Sequence, residues 1–174
     1  MRSYWQKRRE RNKGYYQQIV DYAREFAPDA QTSLDVGNYG CEYVYELEWI
    51  PRRTVLDIID DMYALDDRIE KIKADFLALQ PSQKFDLVTC LQVLEHFDDP
   101  TPFIAKLRQV QAKVLIVSLP FMWPNDRTPN HKHDPISLAT IHSWMGTESA
   151  AETVITEENG TQRWMGVYVK QTSG

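Results

Sequence analysis

Two apolar runs constrain this chain more than any other feature: FDLVTCL at Phe85–Leu91 and KVLIVSLP at Lys113–Pro120. Neither alternates polar with apolar residues, and both have the length of a strand. Each therefore reads as a strand covered on both faces, the pattern of a parallel sheet in an α/β fold. Parallel neighbours need a crossover. The segment between the runs supplies one, because Phe103, Ile104, Leu107 and Val110 mark a single helical face behind Thr101 as N-cap and Pro102 as first helical residue.

The alternation extends in both directions. Ile19, Tyr22, Ala23 and Phe26 recur at helical spacing before Pro28, which predicts a helix that begins near Tyr4 or Asn12, ends at about Phe26 and is weakened or split at Gly14. Ser33–Val36 and the β-branched Arg53–Ile59 predict strands, with a short helix at Glu42–Trp49 between them. A further helix at Tyr63–Ile69 and a short strand within IKADFL follow. Phe121–Pro135 is polar and holds three prolines, so it reads as a long surface loop. Beyond it come a helix at Ser137–Met145 and two alternating strands around the hairpin signal Asn159-Gly160.

The expected fold is α/β, Rossmann-like and doubly wound, with a mostly parallel sheet and a C-terminal antiparallel hairpin. A single domain over 1–174 is expected, with 1–28 a helical segment and 29–174 the core. The 174 residues, 43% of them hydrophobic, can bury such a core without staples. Cys41 and Cys90 fit no metal-ligand spacing. No apolar run would span a bilayer and the first residues lack the apolar core of a signal peptide, so a cytoplasmic protein with no membrane partner is expected.

In doubly wound sheets, ligands lie beyond the carboxyl ends of the strands. Asp35, Gly37 and Gly40 close the first strand. Asp57 closes the second at about the twenty-residue offset from which a carboxylate accepts from both ribose hydroxyls, and Asp60 competes with it if that strand runs longer. Asp75 closes the third, and Leu91–His96 follow the fourth. These residues resemble the class I S-adenosylmethionine-dependent methyltransferases: LDVGNYG their first motif, VLDII their acidic ribose-binding strand end, KADFLAL their adenine segment, and FDLVTCLQVLEHFDDP their fourth strand and its loop. The resemblance runs from about Gln31 to Gln171. It implies S-adenosylmethionine as cofactor, with Gly37 near the methionine moiety, Asp57 on the ribose, Asp75 on the adenine amino group, and Phe76, Leu91 and Gln92 bordering it. Asp35, Asn38, Tyr39 and Gly40 complete the first loop. The departure is Tyr39, which stands where the family has its second glycine. Its ring must point away or change the cofactor's pose, leaving Gly40 and Asn38 as the residues suited to positive φ.

The loop PNDRTPNHKHDP carries the remaining chemistry. The resemblance places it over the methyl acceptor, where His133 with Asp134 would orient and deprotonate a hydroxyl, His131 and His96 being alternatives, and its length, prolines and polarity after a buried strand suit a lid. These residues equally suit pinning the loop by hydrogen bonds. His131, His133, Asp134 and Asp126 also invite a metal, but imidazoles one residue apart are a weak ligand spacing and none is expected. The net charge of −5 makes nucleic acid an unfavoured partner, although Arg2, Lys7, Arg8, Arg9, Arg11 and Lys13 crowd the N-terminus. The expected function is methyl transfer to a small-molecule acceptor, a sugar or another hydroxyl-bearing metabolite. A catalytically silent methyltransferase-like interaction domain and a nucleic-acid methyltransferase using the basic N-terminus are the competing classes.

Overall fold

The computed structural model describes residues 7, 10, 12–80, 83–124 and 128–171. Arg2, Arg8, Arg9 and Arg11 of the basic cluster, the start of the first helix near Tyr4, and Asp126 lie outside the described residues. Among the described residues, seven strands form one sheet: β1 (Thr32–Val36), β2 (Arg52–Asp57), β3 (Glu70–Lys73), β4 (Phe85–Leu91), β5 (Gln111–Pro120), β6 (Ala151–Thr156) and β7 (Gln162–Val169). Their order is β3-β2-β1-β4-β5-β7-β6. The first five are parallel, while β7 runs antiparallel to both β5 and β6. The expected Rossmann-like fold is present, and the terminal hairpin inserts its last strand beside β5.

Three α-helices with described bounds flank the sheet: α1 (Lys13–Phe26), α2 (Thr101–Val110) and α3 (Leu138–Met145). On β5, Leu115, Val117 and Leu119 enter the layer under α2 and α3, whereas Val114 and Ile116 enter the layer under α1. This two-faced burial explains the continuous apolar run; each such side chain contributes roughly 1.5–3 kcal/mol on leaving water. Ser137 caps α3 through its Oγ, which accepts from the Thr140 amide at 3.2 Å.

Several local expectations are corrected. Gly14 lies inside α1 without splitting it, and the helix buries Tyr15, Tyr16, Ile19 and Ala23, leaving Tyr22 and Phe26 half-buried. The cap of α2 is Pro100, Thr101 being the first helical residue; the Asp99 carboxylate accepts from its amide at 2.9 Å and its hydroxyl at 2.6 Å. The expected helices at Glu42–Trp49 and Tyr63–Ile69 are single 3₁₀ turns, Glu42–Glu46 and Asp60–Ala64. β2 stops at Asp57, and Ile58 is exposed beyond it. β3 lies earlier than expected and ends two residues before Asp75.

Candidate active site

The order of strands reverses between β1 and β4, and their register aligns Asp35 with Thr89 and Val36 with Cys90. A cleft of about 1200 Å³ opens over these strand ends. Its floor begins at Gly37, whose amide extends the β1–β2 ladder by donating to the Leu56 carbonyl at 2.8 Å. Gly37 has φ +78°, and a Cβ there would stand 2.4 Å from Val93 Cγ2. Only glycine lets the loop after β1 lie so close to the loop after β4.

The loop is then fixed by two carboxylates. Buried Asp35 accepts from Thr89 Oγ1 at 2.6 Å and from Asn38 Nδ2 at 2.7 Å; Tyr43 supports Thr89 at 2.7 Å. Burial pushes the Asp35 carboxyl above its ordinary range against these hydrogen bonds. Asp57 accepts from the Tyr39 amide at 2.8 Å and from the Ile59 amide at 3.2 Å. Tyr39 itself takes positive φ, +52°, as does Gly40 at +69°, whereas Asn38 does not. The expectation that Asn38 would share the strain is therefore corrected: Asn38 holds Asp35, and Tyr39 turns the chain with its ring 47% exposed on the cleft's rim.

The cofactor-side residues expected from sequence all meet here, except that Gly40 shapes the loop without lining the cleft. Asp75 accepts from the Leu77 amide at 2.9 Å, and Phe76 is buried against Phe103 with ring centroids 4.9 Å apart. Gln92 has φ +59°, and its side chain is engaged elsewhere: Oε1 accepts from Arg163 at 2.5 Å, and Nε2 donates to Ser118 Oγ at 3.3 Å. Ile58 and Leu77 were missed; both are exposed apolar side chains on the cleft, just beyond the β2 end and the acidic Asp75. Their position directly after strand-end acids was the available signal.

This surface fits S-adenosylmethionine. Each carboxylate oxygen of Asp57 keeps a lone pair beyond its amide partner, Ile58 and Leu77 offer apolar faces, and the buried Asn38 Oδ1 has no hydrogen-bond partner among the described residues. The ribose hydroxyls and amino groups of the cofactor are the donors such acceptors require.

The opposite wall is built by the loop after β4 and the segment after β5. Glu95, 1% exposed, is raised by burial to a pKa of about 8, and its Oε2 has no hydrogen-bond partner among the described residues. His131 Nδ1 bonds Asp134 Oδ2 at 2.8 Å, and its Nε2 faces Glu95 Oε1 at 3.9 Å. Burial lowers the His131 pKa against the Asp134 hydrogen bond. The ring stacks on Trp123, centroids 5.5 Å apart, and meets His96 edge-on at 5.1 Å. His96 Nδ1 bonds the Asn130 carbonyl at 3.0 Å. Arg163 lies between the Tyr15 and Trp123 rings and is held by Glu157 at 2.7 Å.

Two expectations change. His133 does not line the cleft: its Nε2 bonds the Phe97 carbonyl at 2.7 Å and its ring packs edge-on against Trp144. Asp134 is brought to the site, but as the partner of His131 and not of His133. The described part of the Phe121–Pro135 loop is anchored and forms a wall. Phe121 N and Trp123 Nε1 both donate to the Gln162 carbonyl, Met122 N to Ile136, and Lys132 N to Glu95.

Residues 34–113 match the model of a family described as a methyltransferase domain. The fold is similar to the N-methyltransferase NodS from Bradyrhizobium japonicum in complex with S-adenosyl-L-homocysteine (13% identity, TM-score 0.76, 92% of this chain and 87% of that one). It is also similar to the magnesium protoporphyrin IX methyltransferase from Synechocystis with bound S-adenosylhomocysteine (16%, 0.74, 98% and 89%). A third similar structure is an S-adenosylmethionine-dependent methyltransferase from Clostridium acetobutylicum (13%, 0.66, 91% and 91%). No curated protein matches. The family match runs from β1 to the start of β5, and the fold of the whole chain is similar to that of S-adenosylmethionine-dependent methyltransferases. No helix among the described residues is long and apolar enough to cross a membrane.

Proposed function

We propose that this protein transfers the methyl group of S-adenosylmethionine to a hydroxyl of a small-molecule acceptor, bound against Glu95, His96 and His131. The observation that carries the reading is the convergence of these three proton-accepting side chains on the cleft, across from the loop closed by Asp57. A sulfonium methyl needs little help beyond an aligned nucleophile, so the chain's task is orientation and removal of the acceptor's proton.

On the cofactor side, Asp57 holds the ribose while fixing the Tyr39 amide, and Asp75 with Phe76 and Leu77 borders the adenine. On the acceptor side, Asp134 orients His131, and Trp123, Tyr15 and Tyr16 limit the space. Ligand sites for small molecules commonly enclose about 300–1,000 Å³. A cleft of about 1200 Å³ suits a cofactor and a small acceptor together. The test is a screen of hydroxyl-bearing metabolites with tritiated S-adenosylmethionine. Label transfer to a sugar or related alcohol that is abolished by His131→Ala supports the reading. Transfer only to amines, or only to RNA or DNA, overturns it.

A further inference from the structure

We propose that Glu95, His96 and His131 bind one divalent cation of the manganese-to-zinc series, with open coordination positions facing the cleft. Their ligand atoms lie within 4.8 Å of one another, and all three residues line the cleft. No short sequence motif contains them: Glu95 and His96 follow β4, and His131 arrives from the segment after β5.

The protonation pattern is the stronger argument. A backbone carbonyl can only accept, so the contact to Asn130 places a proton on His96 Nδ1 and leaves Nε2 as a lone pair. The Asp134 carboxylate likewise draws the His131 proton to Nδ1, and the bare Nε2 points toward Glu95. Glu95 adds a buried carboxyl group with one oxygen unpartnered among the described residues, and an ion would hold it as the carboxylate. Two bare imidazole nitrogens and a buried carboxyl group thus converge with no donor from another of the described residues between them, an arrangement that a cation resolves.

At 3.9 Å, His131 and Glu95 are too far apart for a hydrogen bond. Two ligands about 2.1 Å from one ion sit roughly 3–3.5 Å apart, so side-chain shifts of about an ångström close the site. Arg163 is a competing positive charge, but its Nε and Nη1 are directed at Glu157 and Gln92. The outer contacts match those of metal-bound imidazoles, in which the second nitrogen donates to a carboxylate or a carbonyl. Two imidazoles and one carboxylate suit manganese, iron, cobalt, nickel or zinc better than magnesium or calcium.

The role of the ion in transfer rests on the proposed hydroxyl acceptor. With the ion bound, the three side chains act on the proton through the metal and not as bases: coordination makes the hydroxyl more acidic, and its proton passes to solvent water. The oxygen's electron pair then forms the bond to the methyl carbon as the carbon–sulfur bond breaks, its pair going to sulfur, which becomes a neutral thioether.

The probe is Co²⁺ added to chelator-stripped full-length protein, followed by visible absorption and by thermal unfolding. One equivalent should bind per chain, produce d–d bands and raise Tm. Glu95→Gln, which keeps shape, and His131→Ala should each weaken binding at least tenfold and abolish the Tm rise. His142→Ala, at an exposed histidine on α3, should leave binding intact. Absence of stoichiometric binding, or equal binding by the Glu95→Gln and His131→Ala proteins, overturns the proposal. S-adenosylhomocysteine titration of the stripped protein separates the two claims: cofactor binding without Co²⁺ binding removes the metal and leaves the methyltransferase reading standing.

Discussion

Gly37→Ala is expected to damage this protein through two separable effects. The first is conformational: an alanine at φ +78° sits in the left-handed region at a cost of about 1–2 kcal/mol. The second is steric, since the new Cβ would lie 2.4 Å from Val93 Cγ2 and must displace the loop after β4, an overpacking effect of about 1–3 kcal/mol. The expected loss of stability is therefore about 2–5 kcal/mol. Gly160 isolates the first effect, because it has the same φ of +78° and no atom within 4 Å of its ideal Cβ. Gly160→Ala should cost only the conformational part. Val93→Ala removes the opposing methyl, so adding Gly37→Ala to that background should also cost only the conformational part. Urea denaturation followed by tryptophan fluorescence measures all four proteins, and the coupling between positions 37 and 93 should be about 1–3 kcal/mol. Equal losses for Gly37→Ala and Gly160→Ala, or no coupling to Val93, would refute the claim that close approach of the two loops fixes this glycine.

Tyr39→Gly should relieve the strain at φ +52°, raising unfolding free energy by up to about 1–2 kcal/mol, without tightening S-adenosylhomocysteine binding. A marked gain in affinity by calorimetry would show that the ring obstructs the site. His133→Ala should lose roughly 1 kcal/mol of stability with its bond to the Phe97 carbonyl but keep turnover within a few-fold; a hundredfold fall in turnover with normal cofactor affinity would return His133 to the acceptor. Asp35 gives a pH dependence. Its folded pKa lies above the ordinary 3.8, so the folded state holds more protons just above that pH, and the group's contribution favours folding less as pH rises through this window. Urea midpoints from pH 4 upward should show this downward component in the native protein and not in Asp35→Asn; an identical slope in both excludes it.

The sheet was largely legible because burial on both faces writes a strand as a continuous apolar run. Phe85–Leu91 was read at its observed limits, and Lys113–Pro120 falls short by only two residues at its start. The 3₁₀ turns were not legible. Around Tyr43, Val44 and Met62, only one or two side chains per turn are buried, too few for a helical period to declare itself. That Asp35, Asp57 and Asp75 line one cleft was legible because each lies at or just beyond the end of a parallel strand. The acceptor side was not: which of His131 and His133 faces the cleft depends on bonds to Asp134 and to the distant Phe97 carbonyl. The chain between them has no periodicity to reveal the choice. Glu95 and His96 were present in the fourth-strand motif, but their meeting with His131 is a property of the folded loops.

Calorimetric titration with S-adenosylhomocysteine tests the central claim most directly. The native protein should show one saturable site, and Asp57→Ala should weaken it by about 1.5–3 kcal/mol, the range for a hydrogen bond involving a charged group. Part of that loss should come from releasing the Tyr39 amide, which Asp57 holds at 2.8 Å. Absence of binding by the native protein at millimolar ligand, or equal affinity in the Asp57→Ala protein, would contradict a cofactor site at the ends of β1 and β2.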